Sequence, residues 1–369
     1  MPSSTSSFNI EPPCLPFCKL LLLTAFLFLL GLASLEWYVR HIGYQYSLKG
    51  IGNSELWGYH RARIDREDTS HQVVTVGDSK MEMGFWSSTF EQEVPGSEVV
   101  MLAVKGSPSI VVLEDIAENT EFRGLVICSA SVDPTIKRDK TLQLEWLEAY
   151  RRKYSNPGWI NFRFNTYLNI KLHEYYFASQ INLKSFLELL WGLVDPHKSN
   201  TPPYLRKLTD RSRQADYRGL MSPEEKERMQ KAITTRYESA IEKYDPEDET
   251  LGARQDEYLS GMQRVWQLAK KIEDRGGQVV IVHFPTSGFA WELEEIARPK
   301  ALFWDLAAEQ SPISMIHFLD ICASQDFDCP DETHLNYDDA ERFTRLIAGE
   351  LKKRGIRSRF QSGSGAIDK

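Results

Sequence analysis

One stretch near the N-terminus limits what this chain can fold into more than any other. Leu20 to Leu35 reads LLLLTAFLFLLGLASL and carries no charged side chain. Apolar residues before it, and Trp37 to Val39 after it, extend the run towards the length that a helix needs to cross a bilayer. The run also has no polar face to turn towards water. We therefore predict one transmembrane helix over residues 15–39, after a polar tail at residues 1–14, so that a lipid bilayer is an expected partner.

A cleaved signal peptide is the second interpretation of this run, and a buried core helix is a weak third. Gly31-Leu32-Ala33 has the small residues of a cleavage site before Ser34, but Lys19 is the one basic side chain ahead of the run. The anchor is favoured because the run exceeds a usual signal core. Lys19 on one side nearly balances Arg40 and Lys49 on the other, so charge leaves the orientation open.

Composition and charge narrow the classes of partner. The 369 residues are 42% hydrophobic and 26% charged, as in an ordinary globular protein. The net charge is -8 and lysines and arginines form no stripe, so we expect no nucleic-acid partner. Histidines and cysteines lack the spacing of zinc ligands, and we expect no metal or cofactor. Cys322 and Cys329 could form a disulfide in an oxidising compartment or remain thiols.

Short apolar runs alternate with helical patterns in two parts of the chain. Nearly continuous apolar strands of this kind form parallel sheets that helices cover on both faces, which makes the expected fold class α/β. A helix with apolar residues at helical spacing closes the pattern at Tyr337 to Lys353. The predicted strands are Gln72 to Val76, Val99 to Val104, Leu125 to Ser129, Gln278 to Phe284 and Ile313 to Ile321.

The domain boundaries follow from changes in this pattern. Residues 40–70 are predicted to connect the membrane helix to an α/β domain at residues 71–354. Long charged amphipathic segments at about 134–276 are interpreted as a helical insertion, in which Ser222 and Pro223 begin a helix. The aromatic residues of the insertion are interpreted as helix packing. Residues 355–369 are predicted to be a disordered tail.

Ser79 is the first candidate for chemistry. It stands in VVTVGDS, at the carboxyl end of the first predicted strand, where α/β sheets build their sites. A serine becomes a nucleophile when a base lies within hydrogen-bonding reach and amide donors can stabilise an oxyanion. The same serine could instead cap the following helix, with Glu82 as its partner in a capping box.

A second motif near the C-terminus supplies the other groups of a triad. PDETHLN, residues 330–336, lies between the last predicted strand and the last helix. In a turn, the spacing of Asp331 and His334 lets the carboxylate reach the imidazole Nδ1 and leaves Nε2 free to accept a proton. A turn in which Asp331 or Asn336 caps the last helix is the alternative. Both motifs are expected at the same edge of the sheet.

With VVTVGDS and DETHLN together, the sequence resembles the SGNH (GDSL-type) hydrolase superfamily over about residues 70–133 and 277–354. The resemblance implies a three-layer, flavodoxin-like domain with a parallel sheet. It also implies that Ser79 is the nucleophile, His334 the base and Asp331 the carboxylate that orients the base. The resemblance does not include the insertion.

The oxyanion hole is where the sequence departs from this family. The resemblance implies that the backbone of Ser79 and that of Gly106, in LAVKGSPS, donate hydrogen bonds to the oxyanion. The family's third donor is an asparagine, and ICSASVDP has none, so Ser129 or Ser131 is the candidate replacement. Loss of one such donor costs about 3 kcal/mol of transition-state stabilisation.

Two basic side chains are candidates for substrate binding near this edge. Lys80 follows the nucleophile, and His283 ends the strand QVVIVHF. For Lys80 the alternative is a solvated helix residue, and for His283 a strand-end histidine with its hydrogen bonds already satisfied.

One anchor, an SGNH-like domain and a helical insertion resemble the membrane-bound branch that adds or removes O-acetyl groups on cell-surface polysaccharides. The resemblance implies a serine esterase or O-acyltransferase, with the catalytic domain outside the cytoplasm (periplasmic in a bacterium), a carbohydrate ester as substrate and a membrane acyl donor as a further partner. A lipid or thioester hydrolase is the near alternative. A catalytically impaired scaffold in a polysaccharide assembly complex is the alternative from another class.

Overall fold

The computed structural model describes residues 17–41, 47–48, 51–129, 142–154, 159–176, 187, 204–242, 244, 250–323 and 326–356. The chain divides into two compact units. One comprises Met1–Tyr46 and Leu172–Asn200, and the other comprises Ser47–Lys171 and Thr201–Lys369. The sheet and every residue of the triad motif belong to the second unit.

The N-terminal apolar run forms a single helix, α1, over Phe17–His41. By length and composition this helix could cross a membrane. Large apolar side chains such as Phe17, Phe26 and Phe28 are more than half exposed, whereas a core helix would bury them. Arg40, near its C-terminal end, pairs with Glu36 at 2.6 Å. The helix is therefore a candidate membrane span.

The second unit is built on a five-stranded parallel sheet with the order β2-β1-β3-β6-β7. Its strands are β1 (Gln72–Val76), β2 (Glu98–Met101), β3 (Leu125–Ser129), β6 (Gln278–His283) and β7 (Ser314–His317). The strand order changes direction beside β1, since β2 lies on one side of it and β3 on the other. In open α/β sheets, such a switch point opens a crevice at the carboxyl ends of the strands, where ligands bind.

Alternate residues of each strand enter two different cores, because successive side chains point to opposite faces of a sheet. Val74 and Val76 join the core on one face, and Val73 joins the core on the other. The first core is packed against α5 (Ile110–Asn119) and α10 (Leu251–Asp274), and the second against α3 (Ser79–Gly84), α4 (Ser87–Glu93) and α14 (Tyr337–Lys353). The α/β prediction is confirmed as a helix-covered parallel sheet.

The remaining helices connect the strands and build the insertion. They are α2 (Asn53–Arg61), α3 (Ser79–Gly84), α4 (Ser87–Glu93), α5 (Ile110–Asn119), α6 (Leu142–Tyr154), α7 (Trp159–Tyr175), α8 (Pro223–Ile233), α9 (Ser239–Glu242), α10 (Leu251–Asp274), α11 (Gly288–Ala297), α12 (Trp304–Gln310), α13 (Phe318–Ile321) and α14 (Tyr337–Lys353). A π-helical turn, Thr234–Glu238, joins α8 to α9. The predicted start of α8 is confirmed, because Ser222 and Glu225 form a capping box around Pro223.

Two predicted strands end three or four residues earlier than the apolar pattern indicates. The last strand stops at His317, whose Nδ1 accepts a hydrogen bond from the Leu319 amide at 3.2 Å and so caps the short helix α13. The second strand stops at Met101. On its outer edge the carbonyls of Met101 and Ala103 accept hydrogen bonds from the Arg211 guanidinium at 3.1 and 2.6 Å, where a further strand would otherwise pair.

The insertion contains a short antiparallel hairpin as well as helices. It is formed by β4 (Leu205–Lys207) and β5 (Arg213–Ala215), and a prediction of helices alone missed it. Short strands of alternating polar residues carry little apolar periodicity, which explains the omission. The predicted loop at residues 198–203 lies outside the described residues. Of the predicted tail, residues 357–369 lie outside the described residues, whereas the amides of Gly355 and Ile356 donate to the carbonyls of Lys352 and Leu351 at 3.2 and 3.1 Å.

Candidate active site

The turn after β1 places Ser79 at the first position of α3. Asp78, not Ser79, caps this helix, because its carboxylate accepts a hydrogen bond from the Lys80 amide at 2.9 Å. Gly77 is required by a close approach, since a Cβ added there would lie 2.5 Å from the Cβ of Ser129. The Ser79 hydroxyl is therefore not needed to cap the helix and is free to face the C-terminal motif.

Ser79, His334 and Asp331 form a continuous hydrogen-bonded chain. Ser79 Oγ lies 2.8 Å from His334 Nε2, although the two residues are 255 positions apart. His334 Nδ1 lies 2.7 Å from Asp331 Oδ2. With the Nδ1 proton directed at the carboxylate, Nε2 is the acceptor for the serine proton. All three predicted triad residues are thus brought together, in the geometry that nucleophilic catalysis requires.

The Asp331 carboxylate is held in its charged form by surrounding donors. Its Oδ1 accepts hydrogen bonds from the amides of His334 at 2.8 Å and Thr333 at 3.1 Å. Burial alone would raise the pKa of Asp331, but the hydrogen bond and charge of His334, together with the Tyr217 hydroxyl, lower it below its ordinary value. Asp331 therefore remains an anion that can stabilise a protonated imidazole.

The capping interpretations of both motifs are corrected. Glu82 does not fold back on the start of α3. It is buried and lies 3.2 Å from Arg211 and 2.8 Å from Arg213. In the C-terminal motif, Asn336 precedes α14 but makes no side-chain cap. Its Oδ1 instead accepts a hydrogen bond from the Tyr217 amide at 2.8 Å.

Glu332 fixes the backbone between the aspartate and the histidine. It adopts φ 68°, in the left-handed region that side chains other than glycine rarely enter. Its carbonyl accepts a hydrogen bond from the Ser287 amide at 3.0 Å, and its buried carboxylate accepts one from the Ala290 amide in the first turn of α11 at 3.0 Å. These bonds offset a backbone strain of about 1–3 kcal/mol and hold the turn that brings Asp331 to His334.

Tyr217 belongs to the insertion, and no sequence motif indicates its position at the site. Its hydroxyl donates to Asp331 Oδ2 at 2.8 Å. Its ring packs in a small apolar cluster with Met83 of α3 and Ala215 of β5. Burial and the charge of Asp331 raise the pKa of Tyr217, which keeps the phenol protonated as a donor. The insertion therefore supplies a direct partner of the predicted triad.

The two backbone turns expected to form an oxyanion hole lie side by side. The Val104 amide donates to the Gly77 carbonyl at 2.8 Å, which joins the turn after β2 to the turn that carries Ser79. Gly106, in the turn after β2, is exposed at φ 67°, and no atom lies within 4 Å of a Cβ added there. The open space around Gly106 suits the approach of a substrate.

The third donor expected at the oxyanion hole has several candidates. Ser129 is buried with its Cβ against Gly77, and its carbonyl accepts a hydrogen bond from Ser109 at 3.3 Å. Ser131 lies outside the described residues. Gln143 of α6, which the sequence did not indicate, is fully buried and donates from Nε2 to the Gly77 carbonyl at 3.2 Å, while its Oε1 has no described partner. A side-chain amide thus lies directly against the serine turn.

The two candidate substrate-binding residues, His283 and Lys80, differ in whether their side-chain nitrogens already have hydrogen-bond partners. His283 stacks on His317 with ring centroids 4.3 Å apart. Its Nδ1 lies 3.0 Å from the Phe284 carbonyl, and its Nε2 contacts the Glu294 carboxylate. Both ring nitrogens of His283 are occupied, as in the satisfied strand-end alternative. Burial and the charge of His283 lower the pKa of the neighbouring His317 to about 2. Lys80 is half-buried, and its ammonium makes no hydrogen bond or ion pair with the residues that the structure describes.

Cysteines and metal ligands add no further site in the described part of the chain. The thiols of Cys322 and Cys329 are not bridged, and they donate to the carbonyls of Phe318 at 3.0 Å and Pro285 at 3.5 Å, respectively. Burial raises the pKa of Cys322 to about 11. No cluster of three or more His, Cys, Asp or Glu side chains suited to a metal ion occurs among the residues whose positions are described.

Comparison with known proteins adds no family to this geometry. No protein-family model matches the chain, and no curated protein matches it. The geometry of Ser79, His334 and Asp331 is therefore what any functional conclusion must rest on.

Proposed function

We propose that the protein is a serine esterase or O-acyltransferase of the SGNH type, acting on ester groups of carbohydrate, with O-acetyl groups of cell-surface polysaccharide as its substrates. The proposal rests on one observation. Two successive hydrogen bonds, of 2.8 and 2.7 Å, link Ser79 Oγ to His334 and His334 to Asp331. A serine that only began a helix would not need a histidine and a partly buried carboxylate aligned behind it.

The proposed reaction has two halves that share one acyl-enzyme. Ser79 Oγ attacks the ester carbonyl carbon while its proton moves to His334 Nε2, and the imidazolium then protonates the departing alcohol oxygen. In the second half, water or a sugar hydroxyl attacks the acyl-enzyme, and its proton passes through His334 back to Ser79. Asp331 stays ionised throughout and stabilises the imidazolium. Hydrolysis and transfer differ in the second acceptor alone.

The proposed location is a membrane, with the α/β unit on the outer side, which is the periplasmic side in a bacterium. Helix α1 supports an anchored protein by its length, composition and exposure. An acyl donor in the same membrane would serve the transfer reaction. Sequencing the N-terminus of membrane-extracted protein tests the anchor, because a mature chain that starts at Ser34 would mean that the helix is cleaved off.

A serine-directed fluorophosphonate tests the central proposal. The full-length protein in detergent should be labelled, and Ser79→Ala should abolish both the labelling and the release of acetate from acetylated oligosaccharides. Ser260→Ala, on an exposed part of α10, is the matched control and should be labelled like the native protein. If a folded protein shows no labelling that depends on Ser79, the proposal is wrong and the scaffold alternative is favoured.

A further inference from the structure

A cluster of basic side chains surrounds the buried carboxylate of α3. Glu82 lies 3.2 Å from Arg211 and 2.8 Å from Arg213. Lys105 and Lys207 are close enough for their charges to act on the same carboxylate. Asp210 also faces Arg211, but the cations still outnumber the carboxylates. The cluster therefore carries an excess of positive charge.

The guanidinium of Arg211 is used to hold the fold, whereas the other cations of the cluster have N–H groups that are not used in this way. Arg211 is buried and donates to the carbonyls of Met101 and Ala103. The ammonium of Lys207 makes one described hydrogen bond, to Asn53 Oδ1 at 2.6 Å. Within the described residues, the terminal nitrogens of Arg213 and the ammonium of Lys105 have no hydrogen-bond partner. These donors remain available to a ligand.

The cluster lies at the same edge of the sheet as the predicted nucleophile. Glu82 is one helical turn after Ser79 in α3. Lys105 is exposed in the turn after β2, and this turn is joined to the serine turn by the hydrogen bond from Val104 to Gly77. A ligand held by the cluster would therefore lie beside Ser79, on the side of the edge strand β2.

Holding these positive charges close together is energetically costly. Burial, followed by the charges of Arg211 and Arg213, lowers the pKa of Lys207 to about 8. Like charges this close repel one another in a partly buried site, and an added anion would remove that repulsion. Arg211 also adopts φ 76°, a strained backbone that places its guanidinium between β2 and Glu82.

We infer that this basic cluster binds an anionic oxygen group on the carrier of the ester, so that the substrate is an acidic carbohydrate. Lys207 and Arg213 determine this specificity. The inference rests on the proposed function for the identity of the reaction, but the binding of an anion rests on the cluster alone. Carboxylates and sulfate esters share the required chemistry, because both present oxygens to guanidinium and ammonium donors.

A binding measurement with inactive full-length protein tests the cluster independently of catalysis. Isothermal titration of Ser79→Ala in detergent should detect oligogalacturonate or a sulfated glucan of the same length, and a neutral malto-oligosaccharide should bind at least about tenfold more weakly. Adding Lys207→Gln or Arg213→Gln should weaken binding of the acidic ligand by a similar factor. Lys207→Arg should retain it. Lys270→Gln, on the exposed face of α10, is the control and should bind as Ser79→Ala does.

Measurements of ester cleavage then distinguish a failure of this inference from a failure of the proposed function. The native protein should deacetylate acetylated oligogalacturonate with a higher kcat/KM than acetylated malto-oligosaccharide, and Lys207→Gln should lower that ratio about tenfold. If neither ester is cleaved but the acidic oligomers still bind through Lys207, the proposed function fails and the anion site stands. If Ser79 cleaves both esters equally, and binding depends neither on ligand charge nor on Lys207, the inference is overturned.

Discussion

Replacing Tyr217 with phenylalanine removes one hydroxyl from the site and leaves the shape of the ring. That hydroxyl donates to Asp331 Oδ2 at 2.8 Å, the oxygen that also receives His334 Nδ1. After the substitution, Asp331 keeps its hydrogen bonds with the imidazole and with the amides of Thr333 and His334. The carboxylate should therefore remain in place but be less firmly oriented.

The magnitude follows from the charge and exposure of the acceptor. A hydrogen bond to a charged group contributes about 1.5–3 kcal/mol. The Asp331 side chain is 20% exposed, so water can replace part of the lost bond and the lower end of this range applies. We expect Tyr217→Phe to lower the free energy of unfolding by about 1.5 kcal/mol and kcat/KM about tenfold. Asp331→Asn should lower kcat by about four orders of magnitude, because it removes the charged acceptor that orients the imidazole.

The pH dependence of stability gives an independent check on this interaction. Burial raises the pKa of Asp331, but His334 and Tyr217 lower it below its ordinary value. A lowered folded-state pKa gives stability that is fully present above the unfolded-state pKa of about 3.9 and is lost as the pH falls through the folded-state pKa. The difference in unfolding free energy between the native protein and Tyr217→Phe should therefore be largest near neutral pH and shrink below about pH 4.

Denaturant unfolding at several pH values and kinetics on an aryl acetate provide the measurements. Tyr204→Phe is the matched control. Tyr204 packs against Tyr217 with ring centroids 5.7 Å apart and the ring planes tilted by 45°, and its hydroxyl makes no described hydrogen bond. Equal losses for both variants would mean that ring packing, not the bond to Asp331, explains the effect. A pH-independent difference for Tyr217→Phe would refute the assigned role of the hydroxyl.

Three further substitutions test neighbouring parts of the site. Glu82→Gln should lower the unfolding free energy by about 3–5 kcal/mol, because it leaves the Arg211 charge buried and unpaired. Loss of a helix cap would cost about 1 kcal/mol, so denaturant titration distinguishes the two roles of Glu82. Gly77→Ala should cost about 1–3 kcal/mol by overlap with the Ser129 Cβ, and adding Ser129→Gly should recover only part of that loss in the same assay, because the Met81 Cβ lies 3.1 Å away and φ is 155°. Gln143→Met should slow fluorophosphonate labelling about tenfold if its amide supports the serine turn, and an unchanged rate would exclude that role.

The framework could be predicted because it depends on local patterns. Continuous apolar strands indicated a covered parallel sheet, and the C-terminal amphipathic pattern gave the exact limits of α14, Tyr337–Lys353. The end of β2 could not be predicted in this way. The apolar pattern continues to Val104, past the last strand residue Met101, whose outward carbonyl is bound by Arg211, 110 positions away.

For the site, too, contacts within a short motif could be predicted, whereas contacts from residues far away in the sequence could not. Motif spacing was enough to pair Asp331 with His334, because a short turn brings a carboxylate back to an imidazole. It left a capping box between Ser79 and Glu82 open as an alternative, since nothing nearby in the sequence reveals that two arginines from the insertion bind the Glu82 carboxylate. Tyr217 and Gln143 were missed for the same reason, as each reaches the site from an element outside the two motifs.

The insertion is therefore part of the site rather than an appendage to it. The hairpin and the residues that follow it hold Asp331 through Tyr217 and hold α3 through Arg211 and Arg213. Both contacts converge on the two elements that position the base and the nucleophile. A buried charge held between two elements keeps them in register, because separating them would leave an unpaired ion in a dry environment. The same charges that fasten the insertion to α3 thus supply the basic cluster proposed to bind the substrate, which links the placement of Ser79 to the recognition of an acidic carrier.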